Sequence, residues 1–476
     1  MGDVDEVGGL GWLSCARVHH DAILPPCARD GKPWGVWRIT GEVCRTLAWA
    51  AYPQGYFEGM AQPAQHVVVL GAGTAGTIIV NKLRSRLPKE QWRITVVTKD
   101  DVHDYQPGYL FIAFGTNTPA QTRRSARQFL PEGVDVIVAD VARVDAPAQT
   151  VHLTDGQELA YDQLVIATGT TPRPDQTPGM LGPDWHGRVG EFYTLDGAIA
   201  LRGALEKFTG GRLVVHITEL PIKCPVAPLE FAFLADDYFR GRGIRDKVEI
   251  VYVTPLDGAF TKPVASATLG HLLADKGIVV ETDFMIEEVD QEAKLIRSYD
   301  EREIAYDQLV TVPLNMGADF VAESGLGDDL NYVPVDKHTN RSTAYDTIWA
   351  LGDASDLPTS KAGSVAHFSV EIFVENFLDA IAGRPLTHSF DGHANCFVES
   401  GGGKALLLDF NYDTEPLTGM FPLPKIGPMS LLKESRANHL GKLAFRYVYW
   451  NALLPGHPIG LPAHMMMAGK IPAEPA

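Results

Sequence analysis

The chain has 476 residues, of which 45% are hydrophobic and 21% are charged, and its formal net charge is −18. This composition is typical of a globular protein with two or three domains, and the negative charge argues against nucleic acid as a partner, because phosphate binding needs a basic surface. No apolar run reaches the roughly 18 residues of a membrane-spanning helix, and acidic residues stand where a secretory signal would be basic, so neither a spanning helix nor a signal peptide is expected.

Residues 1–62 lack a helical or strand period and contain three of the five cysteines. Met60 stands six residues before a strong strand, so this segment is interpreted either as a non-native upstream extension or as a disordered or loosely docked arm. The cysteine spacings match no zinc pattern, and no metal site is predicted.

The first clear pattern begins at His66. Val67 to Leu70 predicts a buried parallel strand, Gly71 to Gly76 a turn, and Thr77 to Leu87 a helix. Arg93 to Val97 predicts a second strand, which completes a βαβ unit.

A second unit follows, with strands at Leu213 to Ile217 and Val248 to Val253 around a helix at Pro228 to Arg240. Tyr161-Asp162-Gln163-Leu164-Val165 recurs identically as Tyr306-Asp307-Gln308-Leu309-Val310. The repeat predicts a duplicated domain in which each copy closes one sheet.

Three motifs predict a dinucleotide site. Gly71-Ala72-Gly73-Thr74-Ala75-Gly76 follows a strand and opens a helix, so its backbone can approach a pyrophosphate. Leu164 to Gly169 is a strand that ends in small residues, and Ile348 to Asp353 delivers an aspartate beside a glycine. The usual acid that binds the ribose is missing, because Thr98 and Lys99 end the second strand.

These motifs, in this order, resemble the FAD-binding signature of the pyridine nucleotide-disulfide oxidoreductase superfamily over residues 66 to about 360. The resemblance implies that Asp353 accepts a hydrogen bond from the ribityl chain, although a plain strand-to-turn aspartate is the alternative. The turn of the second unit, Ile217 to Pro225, has no glycine, and its bulky residues disfavour ordinary NAD(P)H binding.

Cys224 stands in that turn, beside Lys223 and ahead of a proline-initiated helix, where a thiolate would be stabilised. Lys223 to Glu230, Asn395 to Gly401 and Asn438 to Phe445 resemble segments of the sulfide:quinone oxidoreductases and the related flavocytochrome c sulfide dehydrogenases. The resemblance implies an α/β fold with two tandem Rossmann-like dinucleotide-binding domains plus a C-terminal membrane-interaction module.

The resemblance also implies the site. Cys224 and Cys396 would face each other across the catalytic side of FAD, with the second cysteine before a short strand, and Lys361 would lie near the flavin's pyrimidine end. The third cysteine of many relatives is missing between residues 66 and 223, so no covalent flavin is expected. Glu230 or His367 could move protons, although a structural histidine is the alternative for His367.

The remaining predicted contacts fall in two groups. The cofactor-binding set is Gly71, Gly73, Thr74, Ala75, Gly76, Thr98, Lys99, Val141, Ala167, Thr168, Gly169, Gly352, Asp353 and Lys361. The quinone-binding set is Phe397, Phe410, Tyr412 and Phe421, for which simple core packing is the alternative.

Leu440 to Leu454 is amphipathic, and residues 423–456 carry five basic side chains (Lys425, Lys433, Arg436, Lys442, Arg446) against one acid, Glu434. This pattern predicts a peripheral or monotopic anchor on the cell membrane, with a solvated helix as the alternative.

The predicted domains are 63–175 with 310–385 for FAD, 176–309 for the second unit, and 386–476 for the quinone and membrane region.

The predicted function is oxidation of hydrosulfide to sulfur or polysulfide and reduction of a membrane quinone, by a protein expected to form a homo-oligomer. The alternatives are a type II NADH:quinone reductase, a flavocytochrome c-type flavoprotein subunit, and a flavoprotein without turnover.

Overall fold

The structure is a computed structural model that describes residues 64–423 and 427–471. The predicted extension, residues 1–62, lies outside these ranges, as does Lys425 of the basic segment.

The first sheet has five parallel strands, in the spatial order Ile348–Ala350, Gln163–Ile166, Gln65–Leu70, Trp92–Thr98 and Asp135–Val138. Its central strand is apolar from Val67 to Leu70 because both faces are covered there: Val67 and Val69 pack into one buried cluster, and Val68 and Leu70 into another. The glycine turn therefore leaves the sheet from the buried end of its central strand.

The second sheet repeats this plan with five parallel strands, in the order Val189–Gly190, Gln308–Val312, Gly211–Ile217, Val248–Val253 and Ile278–Glu281. The repeated pentapeptide occupies equivalent places, because Gln163 pairs with Val67 and Gln308 pairs with Leu213, each the third residue of its central strand. The two units therefore have the same register.

A three-stranded antiparallel sheet precedes each copy of the repeat. One is built from Val141–Asp145, Thr150–Leu153 and Glu158–Ala160, and the other from Ile286–Asp290, Leu295–Ser298 and Glu303–Ala305. The predicted boundary between residues 309 and 310 falls inside the strand Gln308–Val312, whose five residues all belong to the second sheet.

The C-terminal sheet is mixed, in the order Ala394–Gly401, Lys404–Phe410, Met429–Leu431, Thr418–Phe421 and Lys470–Ile471. Two short strand pairs complete the sheets, Val102–Asp104 with Arg123–Ser125 and Thr171–Pro172 with Asn315–Met316.

The α-helices of the described residues are Thr74–Arg86, Tyr109–Ala113, Pro119–Thr122, Leu195–Lys207, Ala227–Gly241, Pro263–Asp275, Asp319–Glu323, Gly363–Ile381 and Arg436–Val448. We call the last one the C-terminal helix; it packs on the C-terminal sheet and continues into a π-helical turn, Tyr449–Leu453. Within the described ranges, no helix is both long enough and apolar enough to cross a bilayer.

Candidate functional site

The glycine turn combines close backbone packing at Gly71 and Gly76 with open space beside Gly73. A Cβ atom on Gly76 would lie 1.9 Å from the carbonyl oxygen of Gly71, and one on Gly71, whose φ is +102°, would lie 2.5 Å from that of Ala167. A Cβ on Gly73 would meet no atom within 4 Å. The helix that starts at Thr74 has no side-chain cap on its first amides, which remain available to an anion.

Two threonines with unsatisfied hydroxyls follow the end of the strand Gln163–Ile166. Thr168 Oγ1 and Thr170 Oγ1 are buried without a hydrogen-bond partner among the described residues, and Gly169 between them has open space at its Cβ position. Buried polar atoms are normally paired, so these hydroxyls lack a polar partner that a bound group would supply. Together with the open face at Gly73, this arrangement fits FAD.

Asp353 and Lys361 form the charged part of this region. Burial raises the pKa of the Asp353 carboxyl, while Lys361 and Lys223 oppose the shift. The Lys361 ammonium donates to the carbonyl oxygens of Asp353 at 3.2 Å and Ser355 at 2.7 Å, and it lies 3.6 Å from the centroid of the Tyr332 ring. Burial lowers the pKa of Lys361 to about 8, so this side chain is no ordinary surface lysine.

The other predicted cofactor residues lie around the same sheet. Thr98 ends the strand beside the central one and its hydroxyl donates to the carbonyl of Asp100 at 3.0 Å, whereas Lys99 is exposed. Val141 begins the antiparallel sheet and is half-buried. The Thr74 hydroxyl contacts the Tyr449 hydroxyl at 2.8 Å, and Tyr449 also contacts His103 Nε2 at 2.7 Å, which ties the glycine turn to the π-helical turn.

Cys224 is held by its backbone in an unusual conformation. Its φ is +46°, in the left-handed region that non-glycine residues rarely adopt. Its N–H donates to the carbonyl of Lys361 at 2.7 Å, and its own carbonyl accepts from Ala227 at 2.8 Å and from the Tyr193 hydroxyl at 3.3 Å. A cysteine retained at a strained backbone position is a common mark of a functional site.

Cys396 lies within the strand Ala394–Gly401, not before it as expected, and is 7% exposed. The helix Ala227–Gly241 packs on this strand and so carries the two cysteines toward each other. Burial raises the pKa of the Cys396 thiol, and the nearby Cys224 raises it further. Both are free thiols in the described part of the chain.

The prediction that Cys224 is a stabilised thiolate is wrong for the protein with free thiols. Burial raises the pKa of its thiol to about 12, Glu230 adds to the shift, and Lys442 opposes it. The Lys223 ammonium, which was expected to stabilise a thiolate, donates to Gln106 Oε1 at 3.1 Å. Desolvation therefore outweighs the nearby positive charge.

Glu230 is the centre of a buried charged cluster that also contains Glu399, His439 and Lys442. Its carboxylate is 2% exposed, accepts the Glu399 N–H at 2.7 Å and forms an ion pair with Lys442. The Glu399 carboxylate, also 2% exposed, pairs with His439 Nδ1 at 2.9 Å. Burial raises the pKa of Glu230, with Lys442 opposing, whereas the pKa of Lys442 is raised because the charges of Glu230 and Cys224 outweigh burial.

Sequence reasoning missed three members of this cluster. Lys442 was assigned to the membrane-facing basic segment, but the structure buries it against Glu230, 212 residues away, with its side chain 12% exposed. His439 and Lys442 are one helical turn apart, a spacing that places them on one face. That spacing was the only local signal, since their carboxylate partners lie far away in the chain.

His367 does not join this cluster. It is 3% exposed, burial lowers its pKa to about 4, and the charged groups that influence it are Glu371 and Lys82. These contacts favour the structural interpretation of this histidine.

The four predicted quinone residues divide between two places. Phe397 and Phe421 share one apolar cluster with Leu407 and Leu431. Phe410 lies in the main core, with the Lys262 ammonium 5.7 Å from its ring centroid. The Tyr412 hydroxyl donates to the carbonyl of Lys337 at 2.9 Å.

Comparisons with known proteins agree with this architecture. Residues 65–215 match the family described as pyridine nucleotide-disulphide oxidoreductase. Mitochondrial sulfide:quinone oxidoreductases are similar: that of Dictyostelium discoideum is 27% identical over 83% of this chain and 87% of its own length, and that of Mus musculus is 25% identical over 82% and 86%.

Among solved structures, the sulfide:quinone oxidoreductase of Aquifex aeolicus superposes with a TM-score of 0.68, at 20% identity, over 83% of this chain and 92% of that one. At this identity the superposition shows the fold, while the sequence relatives confirm the resemblance inferred from the motifs. The chain is an FAD-dependent oxidoreductase and a homologue of the sulfide:quinone oxidoreductases, and its residues 65–215 match the pyridine nucleotide-disulphide oxidoreductase family.

Proposed function

We propose that the protein oxidises hydrosulfide to zero-valent sulfur and reduces a quinone. The observation that supports the proposal is that the helix following Cys224 packs on the strand containing Cys396, and that Cys224 raises the pKa of the Cys396 thiol, although the two cysteines are 172 positions apart by their numbering. The backbone N–H of Cys224 donates a hydrogen bond to the carbonyl of Lys361, which follows Asp353 by eight residues. Cys224 therefore lies beside the residues that fit FAD. The named function of the sequence relatives is the same.

In the proposed chemistry, hydrosulfide attacks a bridge formed between Cys224 and Cys396. The bond between the cysteine sulfurs breaks, a persulfide forms on one cysteine, and the other leaves as a thiolate. Re-formation of the bridge releases one zero-valent sulfur atom, one proton and two electrons, and the sulfur joins a chain that grows on further hydrosulfide. Bound FAD would supply the two-electron acceptor that connects this step to the quinone.

The protein groups around the cofactor have complementary roles in this proposal. The first amides of the helix at Thr74 would bind the pyrophosphate, Thr168 and Asp353 would bind polar groups of the cofactor, and Lys361 would place positive charge at its reduced ring. Glu230 would supply a proton to the quinone, because burial raises the pKa of its carboxyl and Lys442 holds it in place. Phe397 is the preferred quinone contact, since it follows Cys396, is only half-buried and packs against Gly441 of the C-terminal helix.

We further propose that the C-terminal helix lies on a membrane surface. Leu440, Leu443 and Tyr447 are 63%, 49% and 73% exposed, and their spacing places them along one face. The positive charge available to lipid is smaller than the sequence count, because Lys442 is buried and Arg446 is half-buried and donates to Asn117 Oδ1 at 3.2 Å. A homo-oligomer stays a prediction.

The deciding experiment is an anaerobic titration of the purified yellow protein with sulfide and, separately, with NADH. We expect sulfide alone to bleach the flavin absorbance and a soluble quinone analogue to restore it. Cys224→Ser and Cys396→Ser should abolish bleaching by sulfide without releasing FAD. Bleaching by NADH alone would instead favour a type II NADH:quinone reductase, which the glycine-free turn at residues 217–225 disfavours.

A further inference from the structure

The charged cluster around Glu230 contains one polar pair that the sulfur chemistry does not use. In this pair, formed by Glu399 and His439, the His439 ring contacts both oxygens of the Glu399 carboxylate, at 3.0 Å and 2.9 Å. The side chain of His439 is 25% exposed, whereas those of Glu399 and Glu230 are both 2% exposed. The pair therefore connects solvent to a buried carboxylate.

The net charge of the cluster implies a stored proton. It contains two carboxylates and one ammonium, so a neutral His439 would leave one uncompensated negative charge in a buried site. Burying an unpaired charge is costly. A proton on the imidazole or on a carboxylate removes that charge, so the cluster holds one exchangeable proton in its neutral state.

The contacts define the outer part of a route for this proton, from solvent to the Glu399 carboxylate. Nδ1 of His439 faces Glu399, and no described residue hydrogen-bonds to Nε2, which leaves that atom for water. The Glu399 backbone N–H donates to Glu230 Oε1 at 2.7 Å, and the charge of Glu399 raises the pKa values of both Glu230 and Lys442. The four groups are thus electrostatically coupled from the surface to the cysteines.

We propose that His439 and Glu399 form a proton relay that reloads Glu230 from solvent during quinone reduction. The inference rests on the proposed function, in which hydrosulfide, one proton and a quinone give sulfur and a quinol, so one proton must enter from outside in each turnover. His439 takes a proton at Nε2 and gives the proton on Nδ1 to Glu399, and a bridging water would carry it from the Glu399 carboxyl to the Glu230 and Lys442 pair.

Other titratable groups near the relay have their own partners. Lys404 pairs with Glu434 at 3.8 Å, and Asp409 pairs with His393 and Lys470, both at 2.8 Å. The thiols of Cys224 and Cys396 and the phenols of Tyr105 and Tyr193 also face Glu230. His439 is thus the most exposed member of the Glu230 cluster, with 25% of its side chain exposed.

The test separates the two half-reactions in the intact flavoprotein. His439→Gln and Glu399→Gln should bleach with sulfide at the wild-type rate, but the reduced flavin should be reoxidised by a soluble quinone analogue roughly 10²-fold more slowly. In His439→Gln, added imidazole buffer should restore the rate in proportion to its concentration. A purely structural role would not respond to imidazole. His457→Gln, at an exposed histidine, is the matched control and should behave as wild type.

Three outcomes would count against the relay. Wild-type reoxidation rates in both variants would exclude it, as would slow rates in His439→Gln that imidazole leaves unchanged. Loss of FAD from both variants would assign the pair a structural role. If the wild-type protein itself fails to pass electrons from sulfide to the quinone analogue, the proposed function fails, whatever the variants do.

Discussion

The backbone N–H of Cys224 donates a 2.7 Å hydrogen bond to the carbonyl oxygen of Lys361, and Lys223 and Lys361 form a parallel bridge. This contact joins the glycine-free turn of the second unit to the segment that follows Asp353 in the first. The turn that would hold a nicotinamide cofactor in other members of the superfamily is thus fixed against the residues that fit FAD. The proposed redox cysteine Cys224 and the residues that fit FAD are therefore joined directly through the backbone.

Gly73→Ala should separate cofactor binding from folding. A Cβ at this position meets no protein atom within 4 Å, so the apoprotein should keep its thermal stability. FAD affinity should fall on the order of tenfold or more, because the added methyl lies where the backbone approaches the pyrophosphate. Fluorescence titration of the apoprotein with FAD measures this affinity.

Gly203→Ala is the matched control for that experiment. Gly203 lies inside the helix Leu195–Lys207, also with no atom within 4 Å of a Cβ. This change should leave FAD affinity alone and stabilise the protein by roughly 0.5–1 kcal/mol, because alanine favours the helix. Unchanged FAD affinity in Gly73→Ala would contradict the proposed pyrophosphate contact.

Lys442→Met should destabilise the fold by about 3–5 kcal/mol at neutral pH, because it leaves the buried Glu230 carboxylate without its partner. The double variant Glu230→Gln/Lys442→Met should recover much of that loss, since no unpaired charge remains. Denaturant unfolding followed by circular dichroism provides the comparison, with Lys433→Met as the exposed control. A loss in the double variant equal to the sum of the single losses would show that the two side chains are independent.

Tyr449→Phe should cost roughly 1–3 kcal/mol, because the buried Tyr449 hydroxyl contacts both Thr74 and His103. The same change should accelerate FAD release, since Thr74 begins the helix that would bind the pyrophosphate. Thermal unfolding and the rate of FAD loss on dilution measure these effects. Tyr447→Phe, at a side chain that is 73% exposed, should change neither quantity.

The Cys224 thiol of the reduced protein should resist alkylation until strongly alkaline pH, because burial raises its pKa from 9.0 to about 12. A raised thiol pKa means that the folded state holds its proton more tightly than the unfolded state. The associated stability is present in full below pH 9 and is lost as the pH rises through about 12. Iodoacetamide labelling with peptide mass spectrometry, in native and denatured protein, follows this difference, and a native midpoint near 9 would contradict it.

Local patterns predicted the backbone of the site well. The glycine turn, the repeated pentapeptide and the strand before Asp353 lie where the sequence placed them, because each depends on short-range chemistry and on strand burial. The pairing of Lys442 with Glu230 was not predictable, since a basic residue on an amphipathic helix has the same pattern whether it faces lipid or a buried carboxylate. The pKa of Cys224 was also missed, because burial depends on the whole fold and not on adjacent residues.

The C-terminal helix and its π-helical turn supply Lys442 to Glu230 and Tyr449 to Thr74 within a single segment, Arg436–Leu453. Proteolytic removal of this segment would withdraw the counter-ion of a buried acid and loosen the glycine turn at once. A form shortened by this segment would consequently be a damaged enzyme, so the proposed membrane contact has to be probed by polar replacements at Leu440, Leu443 and Tyr447 instead.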